Sequence, residues 1–163
     1  MKTFTSFGDF AVHLAEIAVA QHEAQHVALD RAAKLVEKTA KAKIGDYQDA
    51  AGPFAAWAAL APSTQADRER QGYPADDPGL RDGTMRDSIG RRVSDSKSNV
   101  GSDDPAMVYF EAGTIHQPPR SVLGAAAFEK ADRVAEIVGE RIAMALVGED
   151  IHLGRLGIPD ETD

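Results

Sequence analysis

The residues best suited to chemistry lie together near the N-terminus, in the run His22-Glu23-Ala24-Gln25-His26. This run fits the pattern H-E-x-x-H, which places two imidazoles on one face of a helix. In zinc hydrolases the two imidazoles bind Zn²⁺, and the glutamate acts as the base for a metal-bound water. A small zinc-dependent hydrolase that uses His22, Glu23 and His26 is therefore one hypothesis for this chain.

The sequence around this motif favours a different role. At 100° per residue, the two histidines lie about opposite the apolar stripe that begins at Phe10, so they point away from the expected core. The longer zinc pattern is also absent, because Leu29 and Ala32 stand where a glycine and a histidine would follow. We therefore predict no enzyme, no catalytic residue and no bound metal or cofactor, and a solvent-facing or interface surface for the motif.

A second group of polar residues lies in the stretch 109–123, Y-F-E-A-G-T-I-H-Q-P-P-R-S-V-L. Gly113 is predicted to take a positive φ, two consecutive prolines stiffen the chain, and Ser121 is predicted to cap the next helix. The stiff connector positions the guanidinium of Arg120 for carboxylate or backbone oxygens. We predict that Glu111 and Arg120 contribute to subunit contacts, although a carboxylate at a sheet rim is the alternative for Glu111.

Composition sets limits on the kind of protein. The chain has 163 residues with 43% hydrophobic and 27% charged, which predicts one soluble domain with a real core. No apolar run approaches the ~20 residues needed to cross a bilayer, and no secretory signal is recognisable. The sequence has no cysteine, so it has no disulfide and no thiolate ligand. A net charge of -8 argues against a general phosphate-binding surface.

A long helix is predicted over residues 9–43, with Asp9 as its N-cap, because this segment lacks proline and glycine and keeps apolar residues at helical spacing. Its main stripe, which includes Phe10, Leu14 and Ile17, is expected to face the core. A weaker apolar line on the other side includes Val12 and Val19, which we predict to be subunit-interface residues.

The remaining elements complete an α+β domain over residues 1–147. Prolines and glycines predict a connector over 45–79, with a short helix that Ser63 caps and with Trp57 pinning it to the core. Strands are predicted over 84–112 as a hairpin and a third strand, and a helix over 121–147. The expected architecture is an antiparallel sheet of three to four strands packed by a long N-terminal helix and a C-terminal helix. Residues 148–163 are predicted to form an acidic C-terminal tail.

Several short motifs follow one another in an order that can be compared with known protein families. They are W-A-A-L-A-P-S-T (57–64), G-L-R-D-G-T-M-R-D-S-I (79–89), N-V-G-S (99–102), Y-F-E-A-G-T-I-H (109–116) and P-P-R-S-V-L (118–123). In this order the chain resembles tailed-phage tail-completion proteins, in particular the Mu-type virion morphogenesis family and the related lambdoid tail-component family. The resemblance covers roughly residues 54–146.

The resemblance implies a structural virion protein of the tail end or neck, a tail terminator or head–tail joining subunit, with no catalysis. It implies a homo-oligomeric ring, expected to be a hexamer, that contacts the tail tube protein and head-completion or connector proteins. DNA would pass through the lumen without specific binding, and no membrane is involved. The protein would be assembled in the host cytoplasm and located in the virion.

Overall fold

A long N-terminal helix is the element on which the β-hairpin and the two C-terminal helices pack. The computed structural model describes residues 3–147, and its first helix, α1, spans Phe7–Lys43. Ser6 caps this helix, since its side-chain oxygen accepts a hydrogen bond of 3.1 Å from the backbone N–H of Asp9. The predicted helix is confirmed, but the prediction of Asp9 as the cap is wrong. Asp9 lies inside the first turn, where it accepts a hydrogen bond from the Thr5 hydroxyl.

The connector after α1 contains one short helix, α2, which spans Pro62–Arg70. The predicted cap Ser63 is wrong. The helix starts one residue earlier, at a proline whose fixed φ suits a first turn, and Ala61 occupies the N-cap position without a side-chain hydrogen bond.

A short helix and a hairpin follow the connector. The helix α3 spans Thr84–Asp87, and the strands β1 (Ile89–Val93) and β2 (Ser98–Ser102) pair antiparallel. In this register Ile89 lies opposite Ser102. The hairpin prediction is confirmed, although it begins five residues later than the predicted strand region.

The predicted third strand is wrong, because its residues form a helix, α4, over Pro105–Ala112. The side chain of Asp104 accepts a hydrogen bond from the backbone of Ala106, and Pro105 occupies the first helical turn. Met107 and Phe110, three residues apart, are buried on one face of α4. Within residues 3–147 the sheet therefore has two strands, not three to four, while the α+β class with its long N-terminal helix and C-terminal helix is confirmed.

The predicted C-terminal helix is divided in two. The helix α5 spans Leu123–Glu129 and α6 spans Ala131–Val147, with Lys130 between them outside helical geometry. Both helices pack on α1. The predicted acidic tail, 148–163, lies outside the described residues. No helix in residues 3–147 is long and apolar enough to span a bilayer.

The core lies where the second half of α1 meets the hairpin, α4 and α5. Trp57 is buried, its ring meets Phe110 edge to face at 5.4 Å between centroids, and its indole N–H donates to the Ser121 carbonyl over 3.3 Å. The prediction that Trp57 pins the connector to the core is therefore confirmed. The buried cluster is formed by Ala40, Ile44, Trp57, Ile89, Met107, Phe110, Val122 and Ala126.

Candidate functional site

The H-E-x-x-H motif lies on an exposed side of α1. His22, Glu23 and His26 are all exposed, which confirms the prediction that the motif points away from the core. The Nε2 atom of His22 lies 4.0 Å from a carboxylate oxygen of Asp95 in the hairpin turn, and both side chains are mostly in solvent. Among residues 3–147 no group of three or more histidine, aspartate or glutamate side chains is arranged to hold a metal ion.

Glu111 lies in the last turn of α4 rather than at the end of a strand, and its carboxylate closes the junction between α4 and α5. Both of its oxygens accept hydrogen bonds from the start of α5, where backbone N–H groups have no partner inside the helix. The donors are the Ser121 hydroxyl at 2.5 Å and the backbone nitrogens of Val122, Leu123 and Gly124 at 2.6, 2.9 and 2.9 Å. Glu111 therefore caps α5 from a distance of ten residues or more along the chain.

The loop between these two helices is held by its backbone. Gly113 has a φ of 74°, as predicted, and a Cβ there would lie 2.7 Å from the backbone nitrogen of Pro119, so a larger residue does not fit. The backbone N–H of Arg120 donates to the carbonyl of Phe110 over 2.8 Å. The predicted cap Ser121 also contributes, because its hydroxyl accepts a hydrogen bond from the N–H of Ala125.

Arg120 is inside the fold, with 3% of its surface exposed. Its Nη2 donates to the carbonyls of Ala58 and Ala59 over 2.9 and 3.4 Å, and its guanidinium lies 5.8 Å from the Phe110 ring centroid. Burial lowers the pKa of Arg120 below its usual range. The guanidinium binds backbone oxygens, one of the two partners that the sequence predicted. The contacts of both Glu111 and Arg120 described here are within the chain, and their role in subunit contacts stays a prediction.

The N-terminal part of α1, residues 7–20, is a largely uncovered arm. Phe7, Phe10 and Leu14 have 85%, 39% and 49% of their surfaces exposed. They continue the helical stripe on which Ala28 and Ala32 are buried farther along α1. The prediction that the whole stripe faces the core is therefore wrong for the arm, where the described residues leave Phe7, Phe10 and Leu14 exposed.

The arm also has an aromatic cluster at its end. Phe4 packs edge to face on Phe10, with 5.3 Å between ring centroids, and also lies 5.1 Å from the His13 ring. Phe7 was not among the predicted stripe residues, although its spacing of three and seven residues from Phe10 and Leu14 places it on the same face. That spacing was the signal by which Phe7 could have been found.

Val12 and Val19, the other predicted interface residues, are 60% and 61% exposed on a different side of α1. Their exposure is compatible with a contact surface, and their interface role stays a prediction.

The described residues thus offer two kinds of polar group. Glu111 and Arg120 have their hydrogen bonds satisfied inside the fold, whereas His22, Glu23 and His26 are exposed on α1. The arm differs from both, because its stripe of Phe7, Phe10 and Leu14 exposes apolar side chains to solvent. Comparisons with protein-family models, with curated proteins and with solved structures find no match.

Proposed function

We propose that this chain is a structural virion protein of a tailed bacteriophage, a tail-completion, tail-terminator or neck subunit that joins the tail tube to the head. The observation that carries the proposal is the uncovered apolar stripe of the arm, formed by Phe7, Phe10 and Leu14. A contiguous exposed apolar surface on a small domain is typical of a protein–protein interface. The resemblance of the short motifs between residues 54 and 146 to those of tail-completion proteins is the reason for proposing this kind of assembly.

A rigid body with a projecting arm suits a ring subunit. Head-to-tail association around a closed rotation requires two unlike surfaces on each copy. The stripe of the arm supplies one of these surfaces. The junction of α4 and α5, held by the Glu111 carboxylate and by the backbone of Arg120, gives the body a shape that it keeps when the arm binds a neighbour. A hexamer is the expected ring, with the tail tube protein on one side and a head-connector protein on the other.

The charge of the chain supports passage of DNA without binding. The net charge is -8, and the exposed arm has no lysine or arginine. An acidic lumen does not bind phosphates, so DNA would move through the ring. This part of the proposal is excluded if the assembled ring has a strongly basic pore.

The proposal is tested with the purified chain and tail tubes built from the tail tube protein of the same genome. We expect mass photometry to detect a ring, and negative-stain images to show that ring at one end of the tube. Leu14→Asp should abolish the ring while the circular dichroism of the chain stays unchanged. Val108→Asp is the matched control, because Val108 is 65% exposed and lies outside the arm. A chain that stays monomeric at every concentration and never adds to a tube would contradict the proposal.

A further inference from the structure

A second stripe of α1 remains in solvent along nearly the whole helix, and we name it the outer stripe. Its members follow one another at spacings of three and four residues, so they lie on one face. All are exposed except Arg31, which is half-buried. They are Val12, Glu16, Ala20, Glu23, Val27, Arg31, Lys34, Lys38 and Ala42.

Charge is divided unevenly along this helix. Residues 3–30 contain four acids and no lysine or arginine, whereas residues 31–43 contain five cations and one acid. On the outer stripe the division is centred on Val27. Glu23 and Arg31 are each four residues from Val27, and Glu16 and Lys38 are each eleven residues from it.

We propose that the outer stripe is a self-complementary contact on which two copies of this chain pair through antiparallel α1 helices. A two-fold axis passes through Val27, so that Val27 meets its own counterpart. Each Glu23 then faces an Arg31 of the second copy, and each Glu16 faces a Lys38. A two-fold contact repeats every such pair twice and closes on itself. The pairing does not rest on the proposed virion function, since it follows from the stripe alone.

The charges favour this antiparallel arrangement over a parallel pairing of the two α1 helices. A parallel pair in register would place Glu16 on Glu16 and Lys38 on Lys38, and such like-charge contacts oppose association. In the antiparallel register every facing charged pair has opposite signs. Glu23 of the H-E-x-x-H motif thereby gains a role as the interface partner of an arginine.

The size of the contact predicts a weak, reversible pair. The stripe from Val12 to Ala42 is about 45 Å long, and with a helix width of about 10 Å the two copies would bury on the order of 900 Å² in total. Interfaces of that size belong to weak or transient complexes. Because much of the attraction is between exposed charges, we expect added salt to weaken the pairing.

Single-cysteine variants test the register, because the natural chain contains no cysteine. Under mild oxidation with oxidised glutathione, Val27→Cys should form a disulfide-linked dimer several-fold faster than Val12→Cys. Val12 is the more exposed of the two, so random collision predicts the opposite order. In the antiparallel pair the two copies of residue 12 lie about 45 Å apart, whereas Val12→Cys mixed with Ala42→Cys should cross-link. Equal or faster cross-linking of Val12→Cys alone would overturn the proposal.

Charge-reversal substitutions test the contact between the two outer stripes without any cross-link. Sedimentation equilibrium of Glu23→Arg should show pairing weakened about tenfold, because the like charges occur twice across the axis. The double variant Glu23→Arg with Arg31→Glu should restore pairing to within about threefold of the natural chain. If the double variant pairs no better than Glu23→Arg, or if the natural chain does not pair at all, the proposal is wrong. The proposed virion function is tested separately, by the binding of a ring to tail tubes. Either the virion proposal or the pairing proposal can therefore fail without the other.

Discussion

The two halves of α1 carry the same apolar stripe, but the stripe is buried in one half and largely exposed in the other. In the second half, Ala28 and Ala32 are buried, and in the first half Phe7 and Leu14 of that stripe are exposed. The difference does not come from the helix itself, which is continuous from Phe7 to Lys43. It comes from what packs on it, because the hairpin, α5 and α6 pack on α1 and the stripe is buried at Ala28 and Ala32 but exposed at Phe7 and Leu14. Apolar periodicity therefore marks the face that can be buried, and the neighbouring elements decide how much of it is.

The body and the arm should respond very differently to the same substitution. Phe110, which contacts Trp57 and lies beneath Arg120, is 8% exposed, so Phe110→Ala should lower the free energy of unfolding by about 3–5 kcal/mol. Phe7→Ala in the arm should change it by no more than about 0.5 kcal/mol. Urea unfolding, followed by far-UV circular dichroism at a concentration where the chain is monomeric, measures both.

If Phe110→Ala does not fold, Phe110→Leu provides the measurement with a smaller loss, about 1.5–2.5 kcal/mol, because it removes about half as many buried carbons. A loss from Phe7→Ala as large as that from the Phe110 variant would mean that the arm belongs to the core, and the contrast between the two regions would fail.

The next largest effect is expected at the junction of α4 and α5. Glu111→Gln replaces a carboxylate that accepts four hydrogen bonds by an amide with one acceptor oxygen, and it places an NH₂ group against backbone N–H donors. We expect a loss of about 2–3 kcal/mol in unfolding free energy, measured by urea unfolding.

Glu136→Gln is the control for Glu111→Gln, because Glu136 makes an exposed ion pair with Arg133 in α6 and should contribute almost nothing. The capping role of Glu111 would be refuted if both variants unfolded at the same urea concentration. A variant that stays as stable as the natural chain but loses assembly would instead support the predicted subunit contact.

The features that depend on local sequence pattern were predicted correctly. Helix α1, the hairpin, the clamp by Trp57 and the positive φ of Gly113 all follow from periodicity or from turn chemistry, and all are present. Prediction from the sequence failed at α4, where Tyr109 and Phe110 favour a strand. The start signal of Asp104 and Pro105 and the burial of Met107 and Phe110 outweigh that preference.

The features that were missed depend on tertiary contacts. The cap on α5 comes from Glu111, more than ten residues before most of the groups it binds, and no rule of spacing predicts such a partner. The break at Lys130 is marked by neither glycine nor proline at that residue. Exposure of the arm could not be predicted either, since it depends on where the body ends.

The smallest expected effect concerns the ion pairs of Glu37 in α1, one of which joins this helix to Arg91 of the hairpin. Glu37 accepts hydrogen bonds of 2.7 Å from both Lys41 and Arg91. Burial acts to raise the pKa of Glu37, but these two hydrogen bonds outweigh it and hold the pKa below its usual range. A carboxyl whose pKa is lowered by folding stabilises the protein above its unfolded pKa, about 4.3, and this stabilisation is lost as the pH falls through the folded pKa.

Glu37→Gln should therefore lower the unfolding free energy by about 1 kcal/mol at neutral pH, and the difference from the natural chain should shrink as the pH falls below about 4. Urea unfolding at a series of pH values measures this difference.

Glu16→Gln is the matched control, because Glu16 lies in the arm with 68% of its side chain exposed, and it should leave the stability of the monomer unchanged at every pH. A difference for Glu37→Gln that is independent of pH would mean that its packing, and not its charge, holds the hairpin on α1. An equal loss from Glu16→Gln would show instead that the arm is bound to the body as firmly as the covered half of the helix.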